Sequence, residues 1–168
     1  MSYNTDIKDF TIRFAEEEED ITLILNFIKD LADYENLLDQ VSATEDILYE
    51  SLFIKKEAEV IIGEYKEENI GFALFFNNFS TFIGKSGLYL EDLYIKPEMR
   101  GRGLGKEMLS FLAKLAKDRD CKRLEWWCLD WNKSSIKFYK SIGAKAMDDW
   151  TVYRLSGDDL DNLAENNN

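Results

Sequence analysis

Residues 100–105, Arg-Gly-Arg-Gly-Leu-Gly, have the composition of a phosphate-binding loop. They follow the apolar run of residues 88–95 and open a helical pattern that continues to about Asp120. Glycines let the main chain approach a ligand closely, and the start of the following helix adds N–H groups and partial positive charge. No Ser or Thr follows Lys106, as a Walker loop requires, and the dinucleotide spacing G-x-G-x-x-G is absent. The pattern present is R-x-x-G-x-G.

Two adjacent carboxylates, Glu91 and Asp92, lie inside the apolar run before this loop. Strand alternation sends one to each face, so both cannot reach solvent if the sheet is covered on both sides. A buried carboxylate is costly unless it is paired or solvated in a cleft, and burial raises its pKa toward the range of a general base. For Glu91 the alternative is a structural ion pair. Asp92 could equally anchor an ammonium group or pair with a basic side chain across the sheet.

Composition restricts the chemistry. The 168 residues include no histidine, which excludes Ser-His and Cys-His catalysis and His-ligated metal sites. A general base must therefore be a carboxylate, Tyr, Lys or bound water, and we expect no metal ion. The formal net charge of −12 argues against nucleic acid as a partner and suits a polycationic substrate, although an acidic, solubilising surface is the simpler explanation.

Length and composition predict one cytoplasmic domain, residues 1–168, with a core at about 10–156 and a polar tail at about 157–168. A hydrophobic content of 45% argues against disorder. No apolar run of about 18 residues predicts a membrane span, and residues 1–9 lack the apolar core of a signal peptide. Cys121 and Cys128 fit buried thiols in a reducing compartment better than a disulfide.

The hydrophobic pattern also predicts the elements that position these residues. Strands are expected at residues 10–14, 59–65, 70–77, 88–95 and 123–129, with two short ones near Ala146 and at 151–155. Helices are expected at about 21–32, 44–53, 104–120 and 132–143, and one helical turn in the tail. Antiparallel strands come first, and a parallel strand-helix-strand unit surrounds the glycine loop. The predicted fold is therefore mixed α/β.

Taken together, these pieces resemble the GNAT superfamily over essentially the whole chain. The R-x-x-G-x-G pattern looks like the coenzyme A pyrophosphate loop of that family. Four further stretches resemble the spermidine/spermine N-acetyltransferase and thialysine N-epsilon-acetyltransferase group, and they occur in the same order and spacing. They are Leu31-Ala-x-Tyr-Glu35, Tyr89-Leu-Glu-Asp92, Asp130-Trp-Asn132 and Phe138-Tyr-Lys-x-x-Gly-Ala144.

The resemblance implies the acyl-CoA N-acyltransferase fold, a mostly antiparallel mixed sheet with a central parallel β-α-β unit. In that fold the fourth and fifth strands splay apart at a bulge, and pantetheine enters the gap. The implied enzyme is an acyltransferase that moves the acetyl group of its co-substrate, acetyl-CoA, to a primary amine by direct attack in a ternary complex. The acceptor would be a small cation such as a diamine, a polyamine or a lysine analogue. The resembled group forms homodimers, so a homodimer is expected by analogy.

The resemblance also implies roles for individual residues. Glu91 would accept the proton of the amine through water, and Tyr139 would protonate the departing sulfur, although Tyr139 equally fits an apolar helix stripe with Ile136 and Ile142. Tyr34, Glu35, Glu91 and Asp92 would contact the substrate. An N–H near Leu93 would stabilise the thioester oxygen.

The cofactor would be bound by main-chain and side-chain groups of the strand, the loop and the second parallel helix. These are Leu93, Tyr94, Ile95, Arg100, Gly101, Arg102, Gly103, Leu104, Gly105, Lys106, Asn132, Ser135 and Tyr139. Asn132 could equally be only an N-cap.

The match weakens where spermine-binding members carry acids. Their Asp-x-Trp corresponds here to Ser80 and Phe82, and their Glu-x-Trp to Thr151-Val-Tyr153. Two carboxylates that would hold a long polyamine are therefore missing, and Asp148 or Asp149 could replace them only in part. Their absence weakens spermine as the substrate. Leu129-Asp-Trp-Asn132 looks closer to the thialysine-type members, so the resemblance implies a shorter diamine or a lysine-like amine.

Two alternatives stay open at this point. One is N-acetylation of a protein or peptide, which the acidic field would tolerate. The other is a regulatory module that binds coenzyme A without turnover. The presence of both Glu91 and Tyr139 argues against the second, because such a module needs neither.

Overall fold

The computed structural model describes residues 1–16 and 18–165. The chain divides into two compact units, residues 1–127 and 128–168. Within the described residues, the first unit holds a six-stranded sheet and three α-helices, and the second holds two α-helices. Residues 166–168 of the predicted polar tail lie outside the described residues. The expectation of a single domain stays a prediction.

The strands of the first unit are β1 (Ser2–Asn4), β2 (Phe10–Phe14), β3 (Glu59–Tyr65), β4 (Glu68–Ser80), β5 (Lys85–Ile95) and β6 (Leu124–Trp126). Its helices are α1 (Ile21–Tyr34), α2 (Glu45–Tyr49), which continues as the π-helical segment Glu50–Ile54, and α3 (Leu104–Asp118). Short 3-10 segments cover Glu18–Asp20, Leu38–Gln40 and Pro97–Met99. The second unit contains α4 (Lys133–Ser141) and α5 (Asp158–Glu165).

The strands follow one another in the sheet in chain order, from β1 to β6. The first five are antiparallel, and β6 is parallel to β5. A parallel neighbour requires a crossover connection, and α3 supplies it. The glycine-rich stretch lies at the start of this crossover, between β5 and α3. The mixed α/β fold with antiparallel strands first is confirmed.

Helices cover both faces of the sheet, because alternate strand residues are apolar on both sides. On one face Ile24 of α1 packs in a buried cluster with Ile62 and Phe72. On the other face Phe111 of α3 packs edge-on against Phe14, with the ring centroids 6.1 Å apart. A sheet covered on both faces excludes water from its central strands, so polar groups there must lie at an edge or a gap.

Two predictions made for the later part of the chain differ from the structure. No strand occurs at residues 144–156, which the structure describes as irregular. The apolar side chains there, including Trp150 and Tyr153, are 70% and 92% exposed, so no buried face supports a strand. As a result β6 is the last strand of the described sheet, and the parallel unit lies at its edge. The sequence also gave no indication of β1, whose three residues are all exposed.

Two other boundaries shifted. Strand β6 is three residues long instead of the seven predicted from residues 123–129, because its pairing with β5 ends at Leu90. Helix α5 has eight residues, where a single turn was expected.

We expect Gly71→Ala to destabilise the first unit. A Cβ at this position of β4 would lie 2.3 Å from the Tyr94 carbonyl oxygen and 2.7 Å from Ile95 Cδ1. Backbone cannot move aside as a flexible side chain does, so urea denaturation should show a loss of about 1–3 kcal/mol in the free energy of unfolding. Gly105→Ala is the control, since its Cβ meets nothing closer than 3.9 Å. Equal stability of Gly71→Ala and the wild type would contradict this account.

Candidate active site

A bulge at Glu91 opens the sheet at the predicted catalytic residues. Asp92 lies opposite Leu74 of β4, while Leu90 lies opposite Phe75, so Glu91 is one extra residue of β5. On its other side, β5 pairs with β6 only as far as Leu90 in the described part of the chain. A bulge bends its strand and re-aims the side chains around it. The two parallel strands, β5 and β6, therefore separate at Glu91. They correspond to the fourth and fifth predicted strands, for which the resemblance implied a splay.

The main chain beyond the bulge presents N–H groups to this gap. The Lys96 N–H donates to the Ile70 carbonyl oxygen at 2.9 Å and thus points toward β4. Successive residues of an antiparallel strand direct their polar groups to opposite edges, so the N–H groups of Ile95 and Leu93 point away from β4. Both belong to residues that the resemblance assigned to cofactor binding.

The two adjacent carboxylates have different environments. Glu91 is exposed, and Asp92 is half-buried. As expected, the two acids do not both reach solvent. The exposed one is Glu91, the candidate base, because the bulge takes its side chain out of the strand alternation. Burial raises the pKa of Asp92 to about 6, with smaller contributions from the negative charges of Glu91 and Glu35. Among the ion pairs of the described residues, none involves Glu91 or Asp92, so the ion-pair alternatives gain no support.

The end of α1 contributes a third carboxylate to this place. Glu35 directly follows the last residue of α1, it is half-buried, and burial raises its pKa. Its charge acts on Asp92, which lies far away in sequence, so the fold brings the predicted acidic contacts of the amine together. Tyr34, the fourth predicted contact, lies beside them under the guanidinium of Arg100, whose Cζ is 4.4 Å from the centroid of the Tyr34 ring.

The glycine loop has the backbone that its sequence requires. Gly101 and Gly103 have φ angles of 76° and 83°, in the left-handed region that side chains disfavour. Gly103 is the N-cap of α3 and supplies no capping side chain. The first N–H bonded within α3 is that of Glu107, to the Gly103 carbonyl oxygen at 3.1 Å. The preceding N–H groups of the helix, those of Leu104, Gly105 and Lys106, therefore have no partner inside it.

The basic side chains around the loop have different partners. Lys96 Nζ lies 3.0 Å from a carboxylate oxygen of Glu68. Arg102 Nη2 donates to the Glu98 carbonyl oxygen at 3.3 Å, which leaves the carboxylate of Glu98 outside this contact. Arg102 and Lys106 are both exposed beside the start of α3. They give the loop positive charge on a chain whose net charge is −12.

The second unit carries the remaining predicted residues on α4. Asn132 Oδ1 accepts a hydrogen bond from the Ser135 N–H at 3.2 Å, so Asn132 is the N-cap of α4. Tyr139 is half-buried, and its ring centroid lies 5.4 Å from that of Phe138. The contacts of Asn132, Ser135 and Tyr139 with a cofactor stay predictions. Asp148 and Asp149 are exposed in a turn of the same unit.

Residues 24–144 match the acetyltransferase (GNAT) family. The chain belongs to this family. It is 34% identical over 160 residues to a thialysine N-epsilon-acetyltransferase from Bos taurus, which covers 88% of this chain and 94% of that protein. It is also 32% identical over 171 residues to the spermidine/spermine N(1)-acetyltransferase-like protein 1 of Homo sapiens, covering 95% of this chain but 24% of that protein. An integron cassette protein from the mobile metagenome of V. cholerae superposes with a TM-score of 0.78 at 27% identity, over 95% of this chain and 99% of that one.

This GNAT chain is accordingly an acyltransferase, and its family uses acetyl-CoA as co-substrate. The resemblance to the thialysine and spermidine/spermine group and the fold class are confirmed. No helix within residues 1–16 and 18–165 is both long and apolar enough to cross a bilayer. The same residues contain no group of His, Cys, Asp and Glu side chains suited to a metal ion. Cys121 is a buried free thiol, and Cys128 is half-buried.

Two features of the site were not predictable from the local sequence. The position of the bulge depends on the register of β4 against β5, and two adjacent acids in an apolar run do not reveal it. The contact between Arg100 and Tyr34 joins residues far apart in sequence. The only indication was that both belonged to stretches resembling the same family.

We expect Asp92→Asn to raise stability at neutral pH. The pKa of this carboxyl is raised from 3.8 to about 6 on folding, so its ionisation weakens the folded state as pH rises from about 4 to about 6. Because the side chain is half-buried, the gain from asparagine should be about 1 kcal/mol at pH 7, and it should vanish below pH 4, where both states are protonated. Urea denaturation at the two pH values measures the difference.

Asp20→Asn is the matched control for this prediction. Asp20 is 6% exposed, and its two carboxylate oxygens accept hydrogen bonds from Arg13 at 2.7 and 2.8 Å. The same chemical change there removes a partner from a guanidinium and should lower stability at pH 7. A loss of stability in Asp92→Asn as well would show that Asp92 has a favourable partner in the fold.

Proposed function

We propose that this protein transfers the acetyl group of acetyl-CoA to a primary amine of a small cationic acceptor, a short diamine or a lysine analogue. The observation that carries the proposal is the group of three carboxylates at the bulge, Glu35, Glu91 and Asp92. They lie beside the same strand that leads into the R-x-x-G-x-G loop. A cationic acceptor and an anionic cofactor would thus be bound at adjacent places of opposite charge.

The loop and the strand edge fit the cofactor. Three consecutive N–H groups at the start of α3 and the partial positive charge of a helix N-terminus suit a diphosphate. Arg102 and Lys106 add charge, and the left-handed glycines keep side chains out of the approach. The N–H groups of Leu93 and Ile95 suit the amides of pantetheine. When bound, acetyl-CoA supplies the thioester carbonyl that the amine attacks.

The carboxylates serve the amine. An ammonium group is not a nucleophile, so it must first be bound and then lose a proton. Asp92 and Glu35 would hold the cation in the recess. Glu91, at the exposed bulge, would accept the proton through water, which reaches it there.

The remaining groups act on the thioester. A main-chain N–H near Leu93 donates to its carbonyl oxygen, where negative charge develops as the nitrogen–carbon bond forms. The Tyr139 hydroxyl donates its proton to the sulfur as the carbon–sulfur bond breaks. A phenol, with an ordinary pKa near 10, is well matched to a thiolate leaving group. Asn132 and Ser135, at the start of α4, would also contact the cofactor.

The hairpin between β4 and β5 lacks the acids that a long polyamine would need, which agrees with a short acceptor. Ser80 is 8% exposed and accepts the Ile83 N–H through its hydroxyl oxygen, and Phe82 is 94% exposed. Neither can hold a second ammonium group by charge. The relatives named above act, by their names, on thialysine and on spermidine or spermine. Among these, the lysine-like amine agrees best with the missing acids. We further propose a single-domain, cytoplasmic homodimer, as in the resembled group.

A thiol-release assay with acetyl-CoA and a panel of amines tests this function. Release is expected with putrescine, spermidine or thialysine, and fastest with the shorter acceptors. Release only with a lysine-containing peptide would support protein N-acetylation. Calorimetric binding of acetyl-CoA without release for any amine would support a regulatory module, and absence of binding would refute the proposal.

Tyr139→Phe should lower kcat by about 100-fold, the lower end of the range for general acid catalysis, because the ring stays and only the proton donor is lost. The Kd of acetyl-CoA, measured by calorimetry, should change far less. Ile136→Val, a mild change on the same helix, is a control for packing. An equal loss in kcat and in acetyl-CoA affinity would remove the acid role from Tyr139.

Gly105→Ala should separate binding from folding. Its Cβ has space within the protein, and alanine favours a helix, so stability should be equal or up to about 1 kcal/mol higher. The added methyl group nevertheless lies where the diphosphate would approach the main chain. We expect calorimetry to show that the Kd of acetyl-CoA rises by about tenfold or more, which corresponds to the loss of one charge-assisted hydrogen bond. Unchanged affinity would place the diphosphate elsewhere.

A further inference from the structure

The guanidinium of Arg100 packs against the end of helix α1. Its Cζ lies 4.4 Å from the centroid of the Tyr34 ring and 5.6 Å from that of Tyr94. Its Nε donates to the Ile95 carbonyl oxygen at 2.9 Å. Two rings and one hydrogen bond thus hold a side chain that belongs to the glycine loop. Arg100 joins three elements: β5, the loop and α1.

Charge explains why the end of α1 attracts a cation from elsewhere in the chain. The last turn of α1 contains no basic residue, although the C-terminus of a helix carries partial negative charge. Asp30 and Asp33, near that end, add negative charge. Burial raises the pKa of Tyr94, the charge of Asp30 contributes to this, and Arg100 opposes it, so these groups lie close together. Arg100 supplies the positive charge that the helix end lacks.

The same helix end carries the residues proposed to bind the amine. Glu35 follows Tyr34 directly, so a shift of the main chain at Tyr34 also moves Glu35. After burial and the charge of Glu91, the charge of Glu35 is the third contribution to the raised pKa of Asp92. The glycine loop is therefore linked to these acids in three steps: Arg100 stacks on Tyr34, the chain continues from Tyr34 to Glu35, and the charge of Glu35 acts on Asp92.

We propose that Arg100 is a positioning residue that couples the two substrate sites. Its stack on Tyr34 holds the diphosphate loop and the amine-binding end of α1 in one arrangement. Binding of one substrate, which fixes one of these segments, therefore favours the binding-competent position of the other. This inference rests on the proposed function. Because coupling between sites is reciprocal, a change on the amine side must alter the affinity for the cofactor. Tyr34 therefore influences acetyl-CoA binding through Arg100.

Calorimetric titration of acetyl-CoA tests the coupling in the wild type, Tyr34→Leu, Tyr34→Phe, Arg100→Met and the double variant Tyr34→Leu/Arg100→Met. Loss of a cation–π stack should raise the Kd of acetyl-CoA about threefold to tenfold in Tyr34→Leu. Tyr34→Phe keeps the ring, so its Kd should stay within about twofold of the wild-type value. The double variant should bind within about twofold of Arg100→Met alone, since both changes remove one interaction.

Tyr65→Leu is the matched control. Lys66 Nζ lies 5.6 Å from the centroid of the Tyr65 ring, in the β3–β4 hairpin, so this variant also removes a ring beneath a cation. It should bind acetyl-CoA as the wild type does. Kinetics add a second readout: Tyr34→Leu should raise the KM of both substrates, whereas a purely local role would raise only that of the amine.

The outcomes are distinguishable. Wild-type affinity in Tyr34→Leu, or losses in the double variant equal to the product of the single losses, would overturn the coupling and leave the proposed function intact. A wild-type protein that does not bind acetyl-CoA would instead refute the proposed function, and the coupling with it. Weaker binding of acetyl-CoA by Tyr34→Leu, together with wild-type affinity in Tyr34→Phe, would establish the coupling.

Discussion

The site depends on a single extra residue in β5. With Glu91 inserted, β5 cannot keep both neighbours in register: β4 continues beside it, and β6 separates from it. A regular strand would pair all its polar groups and bury alternate side chains. The bulge leaves a carboxylate in solvent, another half-buried, and N–H groups without a strand partner on one edge. Recognition and proton transfer need these conditions, and the covered faces of the sheet exclude them elsewhere.

Arg100 extends this constraint from the strand to the rest of the first unit. The loop must turn sharply after β5 so that α3 can cross over to β6, and Gly101 and Gly103 make that turn possible. Arg100 bonds the last carbonyl group of β5 and covers the negatively charged end of α1. The glycine loop and the end of α1 therefore share one support.

The sequence predicted what depends on periodicity and local chemistry. Strand β2, helices α1 and α3 and the glycine turn follow from alternating or helical apolar spacing and from residues with special backbone freedom. Periodicity could not predict which side chains around the gap are exposed, because the register of β5 decides that Asp92, and not Glu91, is half-buried. The apolar residues of 144–156 also alternate as strand residues do, yet the described fold gives them no partner strand. Periodicity reports what a segment could bury, not whether a surface is present to bury it.

The gap has a consequence for the protein in the absence of any ligand. An unpaired strand edge is a template for the strands of other chains, and natural sheets protect such edges with bulges, charges or coverage. Here β5 has a bulge, two adjacent acids and a guanidinium bonded to its last carbonyl oxygen. The two acids place negative charge on this edge, and charge there disfavours intermolecular sheet extension. Replacing them with apolar residues would expose newly synthesised chains to self-association, whatever happened to turnover.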